Sequence, residues 1–113
     1  MKYALLIYSG DAGETYNSLP DDEQKAVLGE YFAIAQSPGI YGGEQLQPVD
    51  TATTVRVQGG ETLTTDGPFA DTKEVLGGFF LFEADDLDAA IEIASRIPAA
   101  RTGAVEVRPV VER

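Results

Sequence analysis

Hydrophobic and polar positions alternate along this chain in two distinct ways. Tyr3-Ala-Leu-Leu-Ile-Tyr8 and Phe79-Phe-Leu-Phe82 are apolar at odd and even positions alike, the pattern of strands buried on both sides. Thr53-Thr-Val-Arg-Val-Gln58 alternates polar with apolar, which predicts a half-buried strand. Gly59-Gly60 is a hairpin turn and Glu61 to Thr65 a returning strand. Ile40 to Leu46 reads as a short strand whose Gly42-Gly43 pair marks a bulge or a close backbone approach. Val105, Val107 and Val111 give a last strand, with Glu106 and Arg108 at alternate positions.

Between the strands the period changes from two to three and four. A helix is expected from near Ser18, with Pro20 in its first turn and Asp21, Asp22 and Glu23 at the positive end of its dipole. Its buried stripe is Gln24, Val27, Leu28, Tyr31, Ile34 and Ala35, and Ser37-Pro38-Gly39 stops it. A second helix is capped by Asp85 or Asp86, buries Leu87, Ala90, Ile91, Ala94 and Ile97, and closes at Pro98. Residues 9–19 and 66–71 read as loops. The order of strand, helix, several strands, helix and strand predicts an α+β fold of the ferredoxin-like βαββαβ kind with an antiparallel sheet. Two helices cover one face of such a sheet. The doubly apolar strands therefore require cover on the other face, and a second copy of the chain is the expected source. A few hundred Å² of apolar surface per partner, at about 25 cal/mol per Å², is worth several kcal/mol before association costs.

Length and charge narrow the function classes. The 113 residues suit one domain, 1–113. Eight Lys and Arg against nineteen Asp and Glu give a net charge of −11, which repels phosphate backbones and anionic lipid, so neither nucleic acid nor membrane is an expected partner. There is no cysteine and no histidine. Disulfides, thiolate zinc sites and cysteine nucleophiles are excluded, as is the general base commonest near neutral pH. A metal would have only oxygen ligands, and neither a metal site nor a cofactor is assigned. The first apolar stretch is too short for a signal-peptide core or a membrane span, so the expected location is the cytoplasm.

Chemistry-bearing residues concentrate between residues 66 and 74. Asp66 opens Asp66-Gly67-Pro68-Phe69, where Gly67 takes conformations other residues avoid and Pro68 fixes its own φ. Such a turn can aim a carboxylate as proton acceptor or ligand anchor, or fold it back as an Asx-turn. Lys73 can hold an anionic group with Glu74 as partner, or the two can be a solvated ion pair. Arg56, on the polar side of an alternating strand, and Arg101, after the second helix, can each fork onto a ligand carboxylate or form a salt bridge within or between subunits. Glu44 beside Gly42-Gly43 is a weaker candidate. Phe69 and the tyrosines read as packing residues.

Thr64-Thr-Asp-Gly-Pro-Phe-Ala-Asp-Thr-Lys-Glu-Val-Leu-Gly-Gly-Phe79 resembles the signature of the YCII-related, DGPF-containing family. Similar segments are Met1 to Tyr8, Gly42 to Pro48, Thr53 to Arg56, Asp85 to Ala90, Ile97 to Arg101 and Val105 to Pro109. The resemblance implies a ferredoxin-like domain that dimerises through its sheet, the dimeric α/β barrel type, but it implies no established activity. It also implies a link, through neighbouring extracytoplasmic-function sigma factors, to transcription control. More distant relatives have a His–Asp pair proposed as catalytic, which a chain without histidine cannot reproduce. Three functions stay open: a homodimer binding a small molecule beside the DGPF loop, with cofactor-free acid/base chemistry on Asp66; an interaction module for a sigma-factor-linked regulatory partner; and a non-catalytic accessory domain.

Overall fold

The computed structural model describes residues 1–9, 14–68 and 75–113. In chain order the elements are β1 (Lys2–Ser9), α1 (Glu14–Asn17), α2 (Asp21–Ala35), β2 (Ile40–Gln45), β3 (Thr53–Gln58), β4 (Glu61–Asp66), β5 (Val75–Glu83), α3 (Leu87–Ser95), α4 (Ala99–Thr102) and β6 (Ala104–Pro109). Four strands form one antiparallel sheet in the order β2-β5-β1-β6, and β3 pairs with β4 as a separate two-stranded sheet. Each βα unit skips one place in the main sheet: β5 lies between β1 and β2, and β1 between β5 and β6. This order is compatible with the ferredoxin-like fold.

The doubly apolar segments are the two central strands. Tyr3, Leu5 and Ile7 of β1 are buried, and the intervening Ala4, Leu6 and Tyr8 are half-buried. The register places Tyr3 opposite Phe82 and Leu5 opposite Phe80, so these residues share the face beneath the helices. Leu6 stands opposite Phe79, and Ala4 opposite Leu81, on the other face. The core joins Tyr3, Leu5, Ile7 and Phe82 to Ile34 of α2, to Ala90, Ile93 and Ala94 of α3, and to Ile97 and Ala99 beyond it.

The helices correct two expected stripes. In α2 only Ile34 is buried, and Leu28 and Ala35 are exposed. This helix lies against the edge strand β2, so a narrow line of residues meets the sheet. In α3 the buried line is Ala90, Ile93 and Ala94, continuing to Ile97, while Leu87 and Ile91 are half exposed. The stripe is rotated by about one residue from the expected one because α3 and the α4 turn lean toward β6 and β1. The Asp86 carboxylate accepts from the Ala89 N–H at 2.9 Å, so of the two candidate caps it is Asp86 that closes the helix. Residues 9–19, expected as a loop, include the single turn α1.

A bulge lies immediately before the paired glycines, and the glycines themselves allow a close backbone approach. The β2–β5 register shifts between Ile40 and Gly42, leaving Tyr41 as the extra residue, its ring 5.5 Å from the Lys2 ammonium. Gly43 has φ 152°, and a Cβ there would lie 2.6 Å from the Phe79 carbonyl oxygen. The expected strand 79–82 extends back through Gly77 and Gly78 to Val75, and Gly78 packs too closely on Glu44 of β2 to carry a side chain.

Two alanine substitutions should therefore differ in sign. Gly43→Ala meets both backbone strain and backbone atoms and should cost more than about 1 kcal/mol in urea unfolding. Gly29→Ala, in α2 with open space around it, should gain up to about 1 kcal/mol from helix propensity.

Candidate functional site

The segment from Asp66 to Pro68 closes the base of the β3–β4 hairpin. Thr53 and Asp66 form its last cross-strand pair. The Gly67 N–H donates to the Ala52 carbonyl at 2.7 Å, and the Thr54 hydroxyl donates to the Gly67 carbonyl at 2.8 Å. Gly67 holds φ 99°, a left-handed conformation that disfavours any side chain. The turn thus pins β4 to the chain entering β3 and delivers Pro68 to a fixed place.

Pro68 is one wall of a cleft of about 570 Å³. Its floor is Tyr8, Val75 and Leu76, at the end of the two central strands, and its far side is the connection from Leu46 to Ala52. That connection is itself held. The Leu46 N–H donates to the Gly77 carbonyl at 2.9 Å, and a single 3-10 turn, Val49–Thr51, is closed by the Thr51 hydroxyl on the Pro48 carbonyl at 2.7 Å. Among the described lining residues the walls are mostly apolar, the polar groups are Tyr8, Gln47 and Thr51, and none is charged.

The sequence candidates distribute around this cleft unevenly. Asp66 is exposed at the end of β4, two residues from Pro68, and is not part of the lining. Arg56 lies mid-way along β3 opposite Leu63, on the exposed hairpin. Glu44 stands opposite Phe79 at the edge of the main sheet. Lys73, Glu74 and Phe69 lie outside the described residues. Tyr8 reads from the sequence as a packing residue and the 46–52 connection as a strand end and turn, yet both line the cleft. The signal for Tyr8 was its position at the end of a strand apolar on both faces.

Arg101 belongs to a second depression, between the helices. One of its guanidinium nitrogens lies 3.2 and 3.1 Å from the two Glu30 carboxylate oxygens. Both side chains are about half exposed, so screening leaves the pair little net worth. Together with Arg96, Ser37 and Ser95 they edge a groove of about 490 Å³. Tyr31 stands beside this pair. Burial pushes its phenol above the usual value, against the opposing pull of a backbone hydrogen bond with Ala99 and of Arg101. No group of three or more carboxylates among the described residues has the geometry to hold a metal ion, and no helix there is long and apolar enough to cross a membrane.

The family model for the YCII-related domain matches residues 1–113. The chain belongs to the YCII-related family. It is similar to an uncharacterised protein of Rhizobium meliloti (strain 1021), 37% identical over 117 residues that span 97% of this chain and 92% of that protein. The family match thus spans the whole chain, and the relative's name states no activity.

The Tyr31 environment sets a pH dependence. The folded state keeps the phenol protonated to higher pH than the unfolded chain does, so stability is full below about 10 and is lost as pH rises through the folded value. Tyr31→Phe should lessen this alkaline loss, read as a shallower fall in the urea midpoint between pH 9 and pH 11.

Proposed function

We propose that the chain is a homodimeric small-molecule-binding domain of the dimeric α/β barrel type, whose ligand enters the cleft beside Asp66-Gly67-Pro68. The cleft itself is the observation that carries the reading: about 570 Å³ between Pro68, the 46–52 connection and the ends of β1 and β5. That is a volume suited to a small organic molecule, with apolar walls and few polar groups to fix orientation. The uncharged described lining and the net charge of −11 select against anions. The favoured ligand is neutral and largely apolar, with one hydrogen-bonding group directed at Tyr8 or Gln47. The second copy supplies cover for the helix-free face of the sheet, where Leu6, Phe79 and Leu81 are half-buried without it. Any chemistry is cofactor-free proton transfer with Asp66 as base, brought over the cleft when ligand binds. A regulatory role toward a basic protein partner is the second reading, and it rests on the acidic surface.

A panel of small phenols, lactones and neutral aromatic amides, screened by ligand-observed NMR, tests the proposal. Binding should weaken by about fivefold to tenfold in Tyr8→Phe, the worth of one hydrogen bond, and should be lost in Val49→Trp, which fills the cleft. Asp66→Asn should keep binding and abolish any turnover. A panel without binders, or binders indifferent to Val49→Trp, overturns the assignment of this cleft.

A further inference from the structure

Helix α2 keeps its large apolar residues in two places. Ile34 is buried in the core, and Tyr31 packs against that core half-buried. Leu28 and Phe32 are 50% and 69% exposed. At about 100° per residue they stand about 120° and 160° around the helix axis from Ile34, so they look away from the sheet. One turn apart, they form a single apolar ridge. Phe32 is the most exposed aromatic side chain among the described residues.

Gly29 lies next to this ridge. A glycine inside a helix costs about 1 kcal/mol relative to alanine, and the fold gives this one no local reason. Its φ is not left-handed, and a Cβ there would meet no described atom within 4 Å. Gly29 and Ala33 make a low row beside the high row of Leu28 and Phe32. The ridge of a second helix packs into such relief, and the missing side chain lets its backbone come close.

Charge selects among partners. α2 carries four carboxylates, Asp21, Asp22, Glu23 and Glu30, against one lysine, Lys25. Asp21 and Lys25 continue the exposed face toward the helix N-terminus, while Glu30 is held by Arg101 on another side. With the whole chain at −11, a second copy, an acidic peptide or anionic lipid is repelled and a cationic segment attracted.

We propose that the outer face of α2 docks a basic amphipathic helix of another protein. The partner's apolar side lies on Leu28 and Phe32, its backbone approaches Gly29, and its cations face Asp21 and Asp22. This inference rests on the second reading above, that of a basic protein partner, and adds the surface and the form of that partner.

The probe is a fluorescently labelled peptide of leucine and lysine, about 18 residues or five turns long, with its leucines on one helical face. A second peptide has the same composition in scrambled order. By fluorescence anisotropy at low salt, the patterned peptide should bind at least about tenfold tighter than the scrambled one. Leu28→Ser and Phe32→Ser should each weaken that binding by about tenfold, the worth of an apolar side chain withdrawn from water. Leu87→Ser and Ile91→Ser, at α3 positions 48% and 50% exposed, should change it by less than about twofold. Gly29→Gln should raise the urea midpoint through helix propensity and yet weaken binding by about fivefold, because its side chain holds the second helix off. A patterned peptide that binds with no regard to Leu28, Phe32 and Gly29 overturns the α2 site and leaves the basic partner standing. Equal affinity for the two peptides overturns the docked helix, and no binding of either overturns both. A mass by light scattering that falls on Phe32→Ser without any peptide gives the face to a second copy and overturns the proposal.

Discussion

Tyr3, Leu5 and Ile7 are sealed beneath helices while Ala4, Leu6 and Tyr8, one residue away on the same strand, are only half covered. That contrast within a single strand governs the molecule. A strand in the middle of a sheet has two faces, and α2, α3 and the α4 turn lie on one of them. The helix face accounts for the core. The other face carries Phe79, Leu81 and Leu6, which are apolar yet only half-buried. The cleft sits at the end of this second face, which is why cover for the sheet and closure of the cleft are a single physical question.

The regions with the least internal support are also those nearest the cleft. Two hydrogen bonds, Gly67–Ala52 and Thr54–Gly67, clamp the base of the hairpin, and backbone hydrogen bonds hold the 46–52 connection. Such segments open at low free-energy cost, and ligand-binding walls are drawn from them. The core lies at the opposite side of the sheet, on Leu5, Ile93 and Ile97, away from the cleft lining.

Much of this was legible in the sequence. The two double-faced strands and the pairing of the hairpin follow from local period and turn chemistry. The expected half-burial of 53–58 does not hold, since Val55 and Val57 are exposed; the bulge falls at Tyr41, just before the paired glycines; and the sequence narrowed the cap only to Asp85 or Asp86, of which the fold uses Asp86. The helix stripes were less well read. Sequence period says that a helix has an apolar side but not how far it sits from the middle of the sheet, so Leu28, Leu87 and Ile91 were assigned to a core they do not reach. The cleft was harder still. Pro68 of the signature segment lines it, but most of the lining comes from Tyr8, residues 46–52 and the start of β5, which only the fold brings together. The charged residues Asp66, Arg56 and Arg101 lie outside the lining of this cleft, since residue type marks a chemistry and not a place in the fold.

The face opposite the helices can be measured directly. Hydroxyl-radical footprinting at micromolar concentration compares Phe79, Leu81 and Tyr8 with Phe32, which is exposed on α2. A covered face predicts that Phe79, Leu81 and Tyr8 react far more slowly than Phe32 and gain reactivity when the protein is diluted or carries an Asp at Leu6. Reactivity at Phe79 and Leu81 in proportion to their exposure in the single chain, unchanged by dilution, would contradict it.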